Sequence, residues 1–159
     1  MTEYALFFES GGPVFGEGYI ASVRIHGRAL ATCDEEDGEF ELSGVNPGSL
    51  LGFGRTVNEA YQDFVESLRC TLIDCASDAA NFEDFRREVE DFFVTNDPEA
   101  ETKWEAARDR ARRGELPNDL KLRLERSDPD LGVDIRQVRA PSLAANAPAQ
   151  ALAPSAIAA

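Results

Sequence analysis

Lysine is almost missing from this chain: there are two in 159 residues, and none before Lys103. Histidine occurs once, at His26. With no lysine before Lys103 and acid in excess, no direct nucleic-acid binding is expected, since phosphate contacts need clustered cations. A lone histidine beside Gly27, in what reads as a turn, suits a surface residue better than a general base. The three cysteines, Cys33, Cys70 and Cys75, are odd in number and lack zinc-ligand spacing. They read as reduced, buried thiols of a cytoplasmic protein, with Cys70 and Cys75 on different sides of one predicted helix. Long runs of Leu or Ile are absent too. The longest uncharged stretch, Ala140–Ala159, holds ten Ala and three Pro, which is too weakly apolar for a membrane span. Met1-Thr2-Glu3-Tyr4 offers neither a basic nor an apolar leader segment, so no secretion signal is expected.

Acid is what the chain has in excess. Thirty Asp and Glu face sixteen Lys and Arg, a net charge of −14. The imbalance is local: residues 1–96 carry 19 acids against six arginines, and residues 97–159 carry 11 acids against 10 bases. A body this negative repels phosphates and anionic lipid and steers cationic partners toward itself. A hydrophobic content of 43% with ten Phe supports a packed core.

The pattern predicts an α+β fold: an N-terminal antiparallel meander of three to five strands packed by an amphipathic helix, then further helices and one or two late strands. Tyr4–Phe8 is an apolar run that Ser10-Gly11-Gly12-Pro13 should end as a turn. Gly18–Ile25 alternates, with Tyr19, Ala21, Val23 and Ile25 on one face. His26-Gly27 permits a reversal into Arg28–Cys33. Asp34-Glu35-Glu36-Asp37-Gly38 reads as an acidic hairpin tip, after which Glu39–Leu42 alternates again. The helix over Thr56–Leu72 repeats Val57, Ala60, Tyr61, Phe64, Val65, Leu68 and Leu72 at spacings of three and four. Thr56 and Glu59 form its capping box. A second helix from about Asn81 carries Phe82, Phe85, Val89, Phe92 and Phe93 on one side, either completing the core or forming a homodimer face. Asp97-Pro98 opens a third helix, with Asp97 as cap and Ala100, Trp104, Ala107 and Ala111 on its apolar face. Leu120–Glu125 and Val133–Ile135 alternate as late strands. Three units are expected: an acidic α+β body over 1–96, a helix with late strands over 97–139 docked on it, and a disordered Ala/Pro-rich tail over 140–159.

Catalytic grammar is sparse. No Ser lies in a Gly-x-Ser-x-Gly setting and no Cys has an evident His partner. Gly52-Phe53-Gly54 lacks the third glycine, the Lys-Ser/Thr pair and the parallel βαβ context of a phosphate loop. Asp34, Glu35, Glu36, Asp37, Glu39 and Glu41 do not follow the twelve-residue calcium loop, so a solvated acidic hairpin is expected rather than a metal site. The expectation is a non-enzyme without cofactor or metal, whose acidic hairpin residues meet a basic protein partner.

From Gly18 to Leu72 the chain resembles the HicB-like antitoxins. The segment that carries the likeness is Gly54-x-Thr56-x-x-Glu59-Ala60, which opens a helix after a strand meander, with Leu68 continuing the apolar stripe. The resemblance implies a partial ribonuclease-H-like fold of order β-β-β-α-β and a role in binding and blocking a small basic ribonuclease toxin. Arg55 stands where that family carries an aspartate. No operator-binding module is recognisable downstream, so neither DNA binding nor autoregulation is carried over. A different acidic inhibitor, a phage- or plasmid-type nucleic-acid mimic such as an anti-CRISPR, would need the same charge and the same lack of catalysis. The ending Ile157-Ala158-Ala159 is similar to the Leu-Ala-Ala ending of the bacterial ribosome-rescue tag, which makes it a candidate degron.

Overall fold

The computed structural model describes residues 1–115 and 130–139. Four strands form the meander: β1 (Thr2–Gly16), β2 (Tyr19–Cys33), β3 (Phe40–Asn46) and β4 (Leu51–Gly54). Three helices follow, α1 (Val57–Asp78), α2 (Phe82–Val94) and α3 (Pro98–Arg112), and then a late strand, β5 (Gly132–Val138). The architecture is α+β, as the hydrophobic pattern predicts.

The first two strands, of 15 residues each, are about three times and twice as long as expected, because both glycine signals lie inside strands. β1 pairs with β2 without a break from Thr2↔Cys33 to Gly16↔Tyr19, and the reversal is the two-residue turn Glu17-Gly18. Gly18 sits at φ +77°, a conformation that side chains other than glycine rarely adopt. Gly27 is buried mid-strand, where a Cβ would run into the Asn46 carbonyl oxygen and the Phe8 ring. At Gly11 a Cβ would meet the Val23 carbonyl. Pro13 is tolerated because β1 is an edge strand, where a missing N–H need not break the ladder. Gly11 and Gly27 thus mark close approach between chain segments, not turns.

β2 is the axis of the sheet. On one side it pairs with β1; on the other, β3 takes residues 28–33 and β5 takes residues 20–26. The register shifts between Arg28 and Ala29, leaving Val45 as an extra residue on β3, and the two strands part there. β5 fills the edge of β2 that this bulge frees. The expected strand at Val133–Ile135 is therefore real and antiparallel to β2. The companion expectation at Leu120–Glu125, like the tail at 140–159 with Ile157, Ala158 and Ala159, lies outside the described residues.

The sheet is covered on both faces. Tyr19, Ala21, Val23, Ile25, Ala29 and Ala31 of β2 join Phe64, Leu68 and Leu72 of α1 and Phe85 and Val89 of α2 in the main core. Opposite them, Leu30 and Val45 meet Ala100, Trp104 and Ala107 of α3, with Ala5 and Phe7 against them. Of the expected Phe face of α2, Phe85 is fully buried, while Phe82, Phe92 and Phe93 pack against the main core. That stripe packs within the fold, with Phe82, Phe92 and Phe93 half-buried against the core. Cys33 and Cys75 are half-buried, but Cys70 is exposed on α1, contrary to the expectation for three buried thiols.

The caps follow the sequence closely. Thr56 accepts from the Glu59 amide at 3.1 Å, and Glu59 reaches back to the Arg55 amide at 2.9 Å, one residue before the cap. Asn81 and Asp97 cap α2 and α3. Arg28 locks α3 onto the sheet: its guanidinium lies 5.0 Å over the Trp104 ring, bonds to Asn46 and makes a 2.8 Å ion pair with Glu101. The Trp104 indole donates to the Leu6 carbonyl at 3.1 Å.

Candidate functional site

The six acidic residues singled out in the sequence lie on the β2–β3 connection and at the start of β3, and they divide into two groups. Asp34 organises the turn: its carboxylate accepts from the Glu36 amide at 2.9 Å, and its carbonyl accepts from Gly38 at 2.8 Å. Its own amide donates to the Glu39 carbonyl at 2.9 Å. Glu35 accepts from the Thr2 hydroxyl at 2.6 Å, and this bond, with the nearby amino group of Met1, holds its carboxyl below the usual carboxylate range. Glu36, Asp37, Glu39 and Glu41 are exposed and have no ion pair among the described residues. Asp34 and Glu35 therefore hold the hairpin in shape, and the other four present its charge.

The surrounding surface concentrates this charge further. Of the six arginines before residue 97, Arg24, Arg28, Arg69, Arg86 and Arg87 are each paired with a glutamate or aspartate. Only Arg55 shows no ion pair among the described residues. Most local cations are thus neutralised in place, and the excess acid is left facing solvent.

Beside the hairpin lies a feature the sequence reading missed. β4 pairs with β3 so that Phe53 is opposite Glu41 and Leu51 opposite Ser43. Opposed residues share a face of a sheet, so two apolar side chains flank an unpaired carboxylate. Phe53 is 56% exposed and Leu51 48%. The intervening glycines face α1: at Gly52 a Cβ would run into the Ala60 carbonyl and the Phe64 amide, and at Gly54 into the Ala60 amide. The pair that superficially suggests a phosphate loop is a helix-packing device, and the signal for β4 was the alternation Leu51-Gly52-Phe53-Gly54. The outer edge of β4 is closed in part by α1. Asp63 accepts from the Phe53 amide at 2.9 Å, and the Ser67 hydroxyl donates to the Leu51 carbonyl at 2.9 Å. These caps discourage strand addition and leave the side chains of Phe53 and Leu51 as the exposed feature.

Elsewhere the chemistry is thin. His26 is mid-strand rather than in a turn, with Nδ1 3.8 Å from Glu9 Oε2, while the other oxygen, Oε1, pairs with Arg24 at 3.4 Å. These strands border an open hollow of 540 Å³ lined by Ser10, Gly11, Ser22 and Arg24. Among the described residues, no group of three or more His, Cys, Asp or Glu is placed to hold a metal ion. No described helix is long and apolar enough to cross a membrane. Comparison with protein-family models, characterised proteins and solved structures finds no match to the chain.

Proposed function

We propose that this chain is a non-catalytic binding protein that captures and neutralises a basic protein, in the manner of an antitoxin blocking a small ribonuclease. One observation carries the reading: four unpaired carboxylates, Glu36, Asp37, Glu39 and Glu41, adjoin the exposed apolar pair Leu51 and Phe53. Carboxylates provide long-range attraction and orientation, and a central aromatic anchor provides the contact that slows dissociation. The hairpin is held by its own hydrogen bonds, so little ordering is needed on binding. The chain runs β-β-β-β-α-α-α-β, with the late strand beside β2, whereas the HicB-like resemblance implies β-β-β-α-β; the proposal rests on the acidic and apolar surface and not on the order of elements.

The test first seeks a short basic ribonuclease among the proteins encoded beside this gene, then measures its association with this chain by stopped flow at several salt concentrations. Changing Glu36, Glu39 and Glu41 to Gln with Asp37 to Asn should lower the association rate about tenfold at low salt and flatten its salt dependence. Phe53→Ala should mainly raise the dissociation rate. An association rate indifferent to both salt and the four changes would refute the electrostatic role. A ribonuclease still active with excess protein present would refute the inhibitory one.

A further inference from the structure

On the second face of the sheet, α3 packs beside Leu30 and Val45. Side chains alternate along a strand, so Ile20, Ser22 and Arg24 share the face of Leu30 further back along β2. The neighbouring strands extend this face, because Phe15 of β1 and Val138 of β5 both lie opposite Ile20. Here the face is open. Phe15 is 71% exposed and Val138 44%, and Ser22, Arg24, Asp134 and Arg136 are exposed as well. Phe15, Ile20 and Val138 therefore form an apolar row across three strands, while Tyr19, Ala21 and Val23 on the other side are packed into the main core.

Charge sets this face apart from the rest of the molecule. Glu9 pairs with Arg24 at 3.4 Å, and Asp134 pairs with Arg136 at 3.0 Å. Across the strands, Arg24 also stands opposite Asp134. Two arginines thus meet two carboxylates, on a chain whose first 96 residues hold 19 acids against six arginines. A basic partner gains little from a balanced face. Two copies of a chain with net charge −14 repel each other over most of their surface, and here they do not. Interleaved arginines and carboxylates are also self-complementary, since each guanidinium can exchange its own acid for that of the other copy.

We propose that a second copy of this chain packs on this face, about a two-fold axis that lays the Phe15–Ile20–Val138 row of one copy against that of the other. The face measures about 20 Å by 15 Å, well short of the roughly 800 Å² per partner in a standard interface. The dimer is accordingly weak, with a dissociation constant on the order of 100 μM. The acidic hairpin lies at the other end of β2, on the order of 40 Å from Ile20. Both hairpins therefore stay uncovered, and the dimer presents two of them. That bivalence rests on the function proposed above, whereas the dimer itself does not.

The test is sedimentation equilibrium of the full chain over a concentration range reaching about 1 mM. The apparent mass should climb from that of one chain toward that of two. Phe15→Glu and Val138→Glu, at exposed sites on different strands, should each hold the chain monomeric throughout. Arg24→Glu should weaken association about tenfold by upsetting the charge balance. The four-residue hairpin variant should dimerise as the wild type does, so a failed dimer and a failed hairpin reading are told apart. A chain that stays monomeric at every concentration, as when residues 140–159 or another protein take this face, would overturn the proposal. So would a dimer that both Phe15→Glu and Val138→Glu leave intact.

Discussion

Replacing Phe64 with alanine removes the side chain at the centre of the main core. Phe64 is fully buried, stands edge to face with Phe8 at 5.0 Å, and rides over Gly52 where α1 crosses β4. Burial and the residual cavity together place a Phe→Ala change at ~3–5 kcal/mol. The aromatic pair adds about 0.5–1.5 kcal/mol beyond its area. The helix cannot close the gap readily, because its backbone already lies against the glycine. A loss of about 4 kcal/mol is therefore expected, a large share of the ~5–15 kcal/mol that holds a domain together. With a urea slope of about 2 kcal/mol/M, the denaturation midpoint should fall by roughly 2 M. Phe53→Ala, with the same chemistry at an exposed site, is the internal control and should cost no more than about 0.5 kcal/mol. A loss below ~1 kcal/mol at Phe64, or equal losses at both positions, would mean that α1 does not pack on the sheet as described.

Gly52→Ala inserts a methyl group against the Ala60 carbonyl and the Phe64 amide, so α1 must retreat from β4. The expected cost is ~1–3 kcal/mol in a thermal or urea melt, and a neutral result would contradict that close approach. The third prediction concerns Glu101, whose carboxyl is held below the usual range by Arg28 and then by Asn96. The ionised form is favoured in the folded chain, so its contribution is complete at neutral pH and fades as the pH drops below 4.5, the ordinary value, through the depressed one. Monitored by the single tryptophan, Trp104, the stability gap between wild type and Glu101→Gln should be widest near pH 7 and shrink below pH 4.5. A gap constant down to pH 3 would show that the charge is irrelevant to docking α3.

Much of the fold was legible because its signals are local. The Thr56 and Asp97 caps, the α1 stripe and the alternation over Tyr19–Ile25 each depend on neighbours within a turn or two along the chain. The acidic hairpin was legible for the same reason, since Asp34 and Gly38 build the turn from their own backbone. Tertiary structure decided the rest. Glycine is compatible with a turn and with a tightly packed strand, and only the segment packed against it shows which applies: Phe8 and Asn46 at Gly27, Val23 at Gly11, α1 at Gly52. Placing β3 and β5 along one edge of β2 depends on a one-residue register shift, which composition does not encode. The same shift brings Val45 under α3 and so makes the second core. The charge of the proposed binding surface was therefore written in the sequence, while the exposed apolar pair beside it came into being only when β4 paired with β3. Phe53 and Leu51 are adjacent to Glu41 in space because strand pairing joins positions a dozen residues apart.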